Sequence, residues 1–283
     1  MSDPFGPNPW RQTSWDWRAA GNFVCGGAGA GVLVFTALAG VQGPALSGLM
    51  LAGIALVGLG LFSVWLEIGR PLRALNVFLS PRMSWMSREA VTATLLFPAG
   101  VAAAAGAPGF TWVTAALALA FVYCQSRMLQ AARGIPAWRE PLLSPLVVIT
   151  GLAEGGGLFF VMAPLDGAGT LSLLALFGVL VLARVLVWLA YRRRLASVAA
   201  HGALTALDRT GRVLQIAGTL VPLALVAAIA AGAVTGELIP AVAALAGLSA
   251  VAAGAYVKFT LVTRAGFNQG FALRHLPVRG ARP

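Results

Sequence analysis

The sequence predicts an all-α membrane protein with eight transmembrane helices and both termini in the cytoplasm. Hydrophobic residues make up 59% of the chain and charged residues only 10%, whereas soluble domains carry about 25% charged residues. Apolar segments follow one another along the chain, each close to the roughly 20 residues that a helix needs to cross a bilayer. Because backbone polar groups cannot remain unsatisfied in hydrocarbon, each segment must be helical.

The predicted spans form a single integral membrane domain over residues 1–283. In chain order they cover residues 20–40, 45–66, 89–107, 109–131, 142–164, 168–190, 213–234 and 238–262. Glycine and proline residues cluster in the predicted outer joints, as is typical of turns. The first four spans are expected to form a four-helix core, with the other four packed beside it.

The distribution of basic residues predicts the topology. All 20 Lys and Arg residues lie before the first span, at the end of the last span or beyond it, or in and near the joints after the second, fourth and sixth spans. The other joints carry only Asp166 and Glu237 as charges. Because positive loops stay in the cytoplasm, both termini and the long joints are assigned there. The net charge of +11 therefore reflects topology, and no nucleic-acid partner is expected.

The chain has too few ligands for a fixed redox centre. Its two histidines, His201 and His275, lie outside the predicted spans, whereas a haem in a helix bundle needs axial ligands that are most often histidines. The two cysteines, Cys25 and Cys124, fall inside spans, and an iron–sulfur cluster needs about four. We expect no haem, no iron–sulfur cluster and no metal site, so electron transfer would need a diffusible cofactor.

The joint LEIGRPLRALNVFLSPRMSWMSREA, residues 66–90, is long and polar. Such a joint suggests a docking surface, a ligand site or both. Four arginines of this joint would orient a partner subunit or lipid phosphates: Arg70, Arg73, Arg82 and Arg88. Arg70 is also a candidate quinone-binding residue. Glu67 ends the second span, where the helix dipole disfavours a negative charge, so a raised pKa makes it a candidate for proton exchange. Glu89 has a simpler interpretation as an acid in the first turn of a helix.

A quinone pocket is the site that the polar residues favour. Asn22, Tyr123 and Arg127 are predicted at the same depth as Glu67, on the first, second and fourth spans. A quinone needs hydrogen-bond donors for its two carbonyl oxygens and a proton acceptor connected to water, and this set supplies both. Trp15 and Trp85 belong to an interfacial aromatic belt, or one of them packs on the quinone ring or on a docked subunit.

Glu154 is an acid within a predicted span and directly precedes Gly155, Gly156 and Gly157. Intramembrane charges are costly and are functional by default. Glu154 could carry protons, or it could pair with Arg184 of the sixth span, although Arg184 is expected nearer the cytoplasmic face. A midplane acid beside glycines also allows a rival interpretation, a secondary transporter with its site at Glu154.

The motifs in the first half of the chain resemble a known family. Gly69 to Pro71, Ser84-Trp85 and Ser87 to Glu89, together with the run Gly26 to Gly31 and the segment Gly134 to Arg139, resemble the membrane anchors of complex iron–sulfur molybdoenzymes. These anchors are the dimethyl sulfoxide reductase anchor subunit and the NrfD-like polysulfide reductase membrane subunit. The resemblance covers residues 20–140.

The resemblance implies a bacterial inner-membrane anchor for a molybdopterin catalytic subunit and a ferredoxin-like iron–sulfur subunit. It also implies electron exchange with ubiquinone or menaquinone. In the first branch a histidine precedes the Gly-Arg/Ser-Pro motif, where this chain has Glu67. In the second branch an asparagine and a tyrosine line the quinone pocket, and Asn22 and Tyr123 are the counterparts here. With partners on the cytoplasmic side, a sulfite dehydrogenase or phenylacetyl-CoA:acceptor oxidoreductase type is favoured, and a purely structural anchor is the alternative.

Overall fold

The computed structural model describes residues 8–67, 76–78, 84–163 and 170–271. The expected all-α architecture is confirmed for this part of the chain, where the only β contact is an isolated bridge between Arg11 and Phe267. The long helices of the described residues are α1 (Trp17–Ala39), α2 (Gly43–Trp65), α3 (Trp85–Ala104), α4 (Phe110–Gln130), α5 (Leu143–Met162), α6 (Thr170–Leu195), α7 (His201–Ala230) and α8 (Leu238–Thr263). A single helical turn, Pro136–Arg139, precedes α5.

Seven of these described helices are long and apolar enough to cross a membrane, so the chain is a multi-pass membrane protein. The remaining long helix, α3, has 20 residues and lies at the third predicted span. It falls outside the set of seven because its first turns carry polar residues such as Arg88, Glu89 and Thr92. The count of eight spans therefore stays a prediction.

Helix α7 begins earlier than its apolar segment suggested. The sequence placed a span at 213–234, whereas the helix already starts at His201. Its first turns are amphipathic and bury Leu207 and Leu214 in the core, a pattern that a search for purely apolar segments overlooks. Because α6 also continues to Leu195, the predicted joint of residues 191–212 is mostly helical. An ion pair between Arg192 and Asp208, with a distance of 2.7 Å from nitrogen to oxygen, links the two helices.

Helix α1 is the packing centre of the bundle. It contacts α2, α4 and α5, while α3 packs on α2 and α4, as expected for a four-helix core. Helices α5 to α8 pack beside this group, with α1 also touching α8. Glycines let the backbones approach, because a methyl group on Gly155 would overlap Gly31 of α1, and one on Gly157 would meet Gly247 of α8. Small residues at such crossings are typical of membrane bundles.

Two π-helical turns interrupt the long helices, one at Asn22–Gly26 in α1 and one at Ile216–Leu220 in α7. Such turns change the backbone hydrogen-bond pattern and are frequent at functional sites. Both turns offer carbonyl groups to buried side chains. Gln125 and Lys258 donate hydrogen bonds into the first turn, and Arg184 donates to Gly218 in the second.

The two ends of the described chain lie against each other. The backbone N–H of Gln12 donates to the carbonyl of Gly266 at 2.8 Å, and that of Asn268 donates to the carbonyl of Trp10 at 3.0 Å. The segments before α1 and after α8 therefore share one face of the bundle. The assignment of that face to the cytoplasm remains a prediction from the basic residues.

Candidate functional site

A cavity of about 230 Å³ opens where the first four helices meet the N-terminal segment. Its described lining residues are Trp15, Ala19, Asn22, Phe23, Val64, Glu67, Met86, Glu89 and Met128. Six of these nine side chains are apolar or aromatic, and three are polar. Asn22 and Glu67, which the sequence placed at one depth, therefore do share one cavity.

Asn22 and Glu89 form the buried polar wall of this cavity. Their side chains are 2% and 3% exposed, and Nδ2 of Asn22 donates to Oε1 of Glu89 at 3.1 Å. Nε2 of Gln125 donates to both oxygens of Asn22, at 2.9 Å to the carbonyl and 3.2 Å to Oδ1. Because Oδ1 of Asn22 accepts from Gln125 and Nδ2 donates to Glu89, the orientation of the Asn22 amide is fixed on both sides.

Glu67 lies at the rim of the cavity, just beyond the end of α2. Burial raises the pKa of its carboxyl, the charge of Asp16 raises it further, and Arg18 partly offsets both effects. Arg18 pairs with Asp16 at 2.8 Å and donates from Nη1 to the carbonyl of Leu66 at 3.0 Å. This contact fixes the start of α1 against the end of α2, so the rim has a defined shape.

Trp15 supplies the aromatic wall of the cavity. Its ring lies 6.1 Å from that of Phe23 and 5.1 Å from that of Trp138, measured between centroids. Trp138 is fixed in turn, since its Nε1 donates to the carbonyl of Leu261 at 2.7 Å. The aromatic residue next to the cavity is therefore Trp15, and Trp85, which the sequence also suggested, is not among the described lining residues.

Trp85, Tyr123 and Arg127 form a separate cluster together with Arg88. The rings of Trp85 and Tyr123 meet edge to face at 5.8 Å. The guanidinium groups of Arg88 and Arg127 lie 4.2 and 4.9 Å from the centre of the Trp85 ring, within cation–π range. Tyr123 is 44% exposed, so the structure does not bring these predicted site residues to the cavity. Arg70, Arg73 and Arg82 lie outside the described residues.

Glu154 belongs to a second buried polar region, which we call the ion cluster (Glu154, Arg184 and Lys258). Oε2 of Glu154 accepts from Nζ of Lys258 at 2.5 Å, and both side chains are at most 1% exposed. Arg184 is also fully buried and donates to the carbonyls of Ala250 and Gly218. The expectation from depth that Arg184 lies away from Glu154 is wrong. A methyl group on Gly254 would be 2.6 Å from Oε1 of Glu154 and 3.0 Å from Nη1 of Arg184.

The sequence did not identify three residues of these two regions as site residues: Glu89, Gln125 and Lys258. Glu89 was interpreted as an ordinary acid of a helix start, but it is buried beside Asn22. Lys258 was counted with the cytoplasmic charges, but it is a buried partner of Glu154. A signal existed for Lys258 and Gln125, because each is a strongly polar residue inside an otherwise apolar segment. Only the fold could show which partners they meet.

The chemistry available in the cavity is proton exchange next to a flat apolar ligand. It combines two carboxyl groups at different depths, an amide donor and an aromatic wall. The family model described as DMSO reductase anchor subunit (DmsC) matches residues 22–231, about three quarters of the chain. The match includes Asn22, Glu67 and Glu89 of the cavity. No curated protein matches the chain significantly in sequence.

Proposed function

This chain belongs to the family of DMSO reductase anchor subunits, and we propose that it is the haem-free, quinone-reactive anchor of a molybdopterin and iron–sulfur oxidoreductase. Membership implies association with a catalytic subunit and an iron–sulfur subunit. The observation that supports quinone chemistry is the cavity that Asn22, Glu67 and Glu89 share. An anchor without a quinone site has no need of two carboxyl groups beside an apolar cavity.

The size and walls of the cavity suit a quinone ring. Ligand pockets for whole drug-sized molecules hold about 300 Å³ or more, so about 230 Å³ suits a single ring whose tail remains among the helices. Val64, Met86 and Met128 supply apolar contacts, and methionine adapts well to flat ligands. Asn22 has a second amide hydrogen for a ring oxygen after donating one to Glu89.

The reaction at this site is the interconversion of quinone and quinol. A quinone takes up two electrons and two protons, and the iron–sulfur subunit exchanges the electrons. Glu67 at the rim exchanges protons between water and a ring oxygen, and its raised pKa keeps it closer to a protonated donor than an ordinary glutamate. Glu89 is the inner proton-exchanging group, and the hydrogen bond that it accepts from Asn22 fixes its carboxyl at the cavity wall.

The distribution of charges supports one side of the membrane for the partner subunits, and that side favours one type of complex. We place the partner subunits on the face where the two ends of the described chain meet, and from the distribution of the basic residues we assign this face to the cytoplasm of a bacterial inner membrane. A cytoplasmic catalytic subunit favours a sulfite dehydrogenase or phenylacetyl-CoA:acceptor oxidoreductase type, working with ubiquinone or menaquinone. A transporter site at Glu154 has less support, because Lys258 and Gly254 enclose that carboxylate.

The test compares carboxylate variants in the complex purified from its native membrane. Glu67→Gln and Glu89→Gln should each slow turnover of a quinone analogue about 100-fold, since general acid–base groups contribute at least about that much. The control is Glu237→Gln, an exposed acid before α8, which should behave as wild type. Molybdenum and iron content reports assembly. If both cavity variants turned over the quinone analogue at the normal rate, and quinone-site inhibitors had no effect on the complex, the chain would be a purely structural anchor.

A further inference from the structure

Two side chains from outside α1 hold the π-helical turn at Asn22–Gly26. Gln125 of α4 donates to the carbonyl of Asn22 at 2.9 Å, and Nζ of Lys258 of α8 donates to the next carbonyl, that of Phe23, at 2.8 Å. Asn22 and Phe23 both line the cavity. The positions of these two cavity side chains therefore depend on donors from two other helices.

The ammonium group of Lys258 is itself held in place. Oε2 of Glu154 accepts a second hydrogen bond from it at 2.5 Å, and Lys258 is 1% exposed. Gly27, one turn beyond Phe23, has no side chain to compete for the space, and a methyl group there would overlap Nζ. A charged donor fixed on two sides holds a backbone carbonyl more firmly than a neutral one, because charge-assisted hydrogen bonds are about twice as strong.

We propose that Lys258 is a positioning residue for quinone binding, an inference that rests on the proposed function. Among the described residues α8 contributes nothing to the cavity wall, so Lys258 acts only through the turn that carries Asn22 and Phe23. Glu154 acts one step further away by fixing the ammonium. On this reading the intramembrane acid serves the quinone site without exchanging protons with it.

The first variant is Lys258→Met, which removes the ammonium and keeps an unbranched apolar side chain. Glu154 then still has Arg184 beside it, so one negative and one positive charge remain and the complex is expected to assemble. Loss of the bond to Phe23 should raise the KM for a quinone analogue about tenfold. The kcat should stay within about twofold, because the proton-exchanging groups remain.

The second variant, Gly27→Ala, keeps every charge but displaces the ammonium from the carbonyl of Phe23. The atom that the new methyl group meets is the end of a flexible side chain, so the helix can accommodate it by moving Lys258. It should reproduce the increase in KM. Gly48→Ala is the matched control, because a methyl group at this position in α2 meets nothing within 4 Å.

Three outcomes are distinguishable in the purified complex. An increase in KM in both variants, with a parallel loss of inhibitor affinity and wild-type Gly48→Ala, supports the inference. Wild-type KM in both variants, with Glu89→Gln still impaired, overturns it and leaves the proposed function intact. A lower yield of complex with unchanged KM and unchanged kcat per molybdenum does the same. Wild-type complex without inhibitor-sensitive quinone turnover overturns the proposed function, and the role of Lys258 with it.

Discussion

The cavity and the ion cluster both place glutamates in an apolar bundle, but they treat the charge differently. Glu67 and Glu89 border a space that a ligand can enter. Glu89 accepts a hydrogen bond from the amide of Asn22, and Glu67 lies near the partly exposed pair of Asp16 and Arg18. Glu154 instead touches Lys258 and lies beside Arg184. An acid next to open space can exchange a proton, whereas an acid with a permanent cationic partner is neutralised where it stands.

The surroundings of the two regions sharpen this contrast. On the far side of Glu154 the chain closes tightly: Gly155 packs on Gly31, and the rings of Phe35, Phe160 and Phe177 follow, with neighbouring centroids 5.5 to 6.3 Å apart. The cavity borders the half-buried Glu67. Quinone chemistry needs proton exchange with water at one face of the membrane, and the cavity at Glu67 can supply it. The buried charge of Glu154, which is enclosed on its far side, is by itself weak evidence for a proton path across the bundle.

The largest effect that separates the regions is expected for Glu154→Gln. This change removes the only carboxylate that the described residues contribute to the ion cluster and leaves two buried cations, Lys258 and Arg184. Breaking a buried pair in this way costs about 3–5 kcal/mol in the free energy of unfolding. Lys258→Met should cost much less, since Glu154 keeps Arg184, and the double variant should fall between them.

Thermal unfolding of the purified complex measures this order of stabilities. Glu89→Gln serves as the comparison from the cavity, because its carboxyl has no cationic partner in the contacts described and Gln retains an oxygen that can accept from Asn22. It should change turnover far more than stability. Equal losses of stability for Glu154→Gln and Lys258→Met would contradict the assignment of Glu154 as the single counter-charge.

A smaller effect is expected at the contact between α1 and α5. Gly155→Ala places a methyl group on the backbone of Gly31. Because this contact is with backbone atoms, the clash can be relieved only if the two helices move apart. Overpacking of this kind costs about 1–3 kcal/mol. The matched change Gly48→Ala meets open space and should be neutral or slightly stabilising, because alanine favours helices over glycine. Denaturation midpoints of the two variants give the comparison, and similar values would mean that this crossing is looser than the structure indicates.

Much of the fold and part of the site could be predicted from the sequence, for a physical reason. The length of an apolar segment determines where a membrane-spanning helix begins and ends, so α1, α2 and α8 lie within a few residues of the predicted spans. Depth along those spans was enough to place Asn22 and Glu67 at one level, and the structure brings them to one cavity. The polar start of α7 was missed because it is stabilised by packing of Leu207 and Leu214 rather than by hydropathy.

The partners of buried charges could not be predicted in the same way. Lys258 lies 104 residues from Glu154 along the chain, and depth on a straight helix ignores the reach of a long side chain. Tyr123 and Arg127 have the depth of the cavity but do not line it. The sequence could not predict this, because hydropathy does not fix the rotation of a helix about its axis. Depth is thus readable from a membrane sequence, whereas the direction of a side chain requires the packed bundle.

The smallest effect concerns the rim of the cavity and tests its electrostatics. Asp16 raises the pKa of Glu67 and Arg18 lowers it. Asp16→Asn removes the raising charge, frees Arg18 to act on Glu67, and keeps a residue that can cap α1. The pKa of Glu67 should therefore fall, because the charge that raises it is gone and the charge that lowers it remains. Arg18→Gln removes the lowering charge and should move the pKa upward.

The pH profile of quinone reduction makes both shifts measurable. As a proton donor Glu67 must be protonated, so turnover in this direction should decline as the pH rises through its pKa. Asp16→Asn should move that decline to lower pH, Arg18→Gln should move it to higher pH, and Glu67→Gln should abolish it. Because the ion cluster lies apart from the rim, Lys258→Met should leave the position of the decline unchanged while it raises KM. A shift of the decline in that variant would mean that the two polar regions titrate as one.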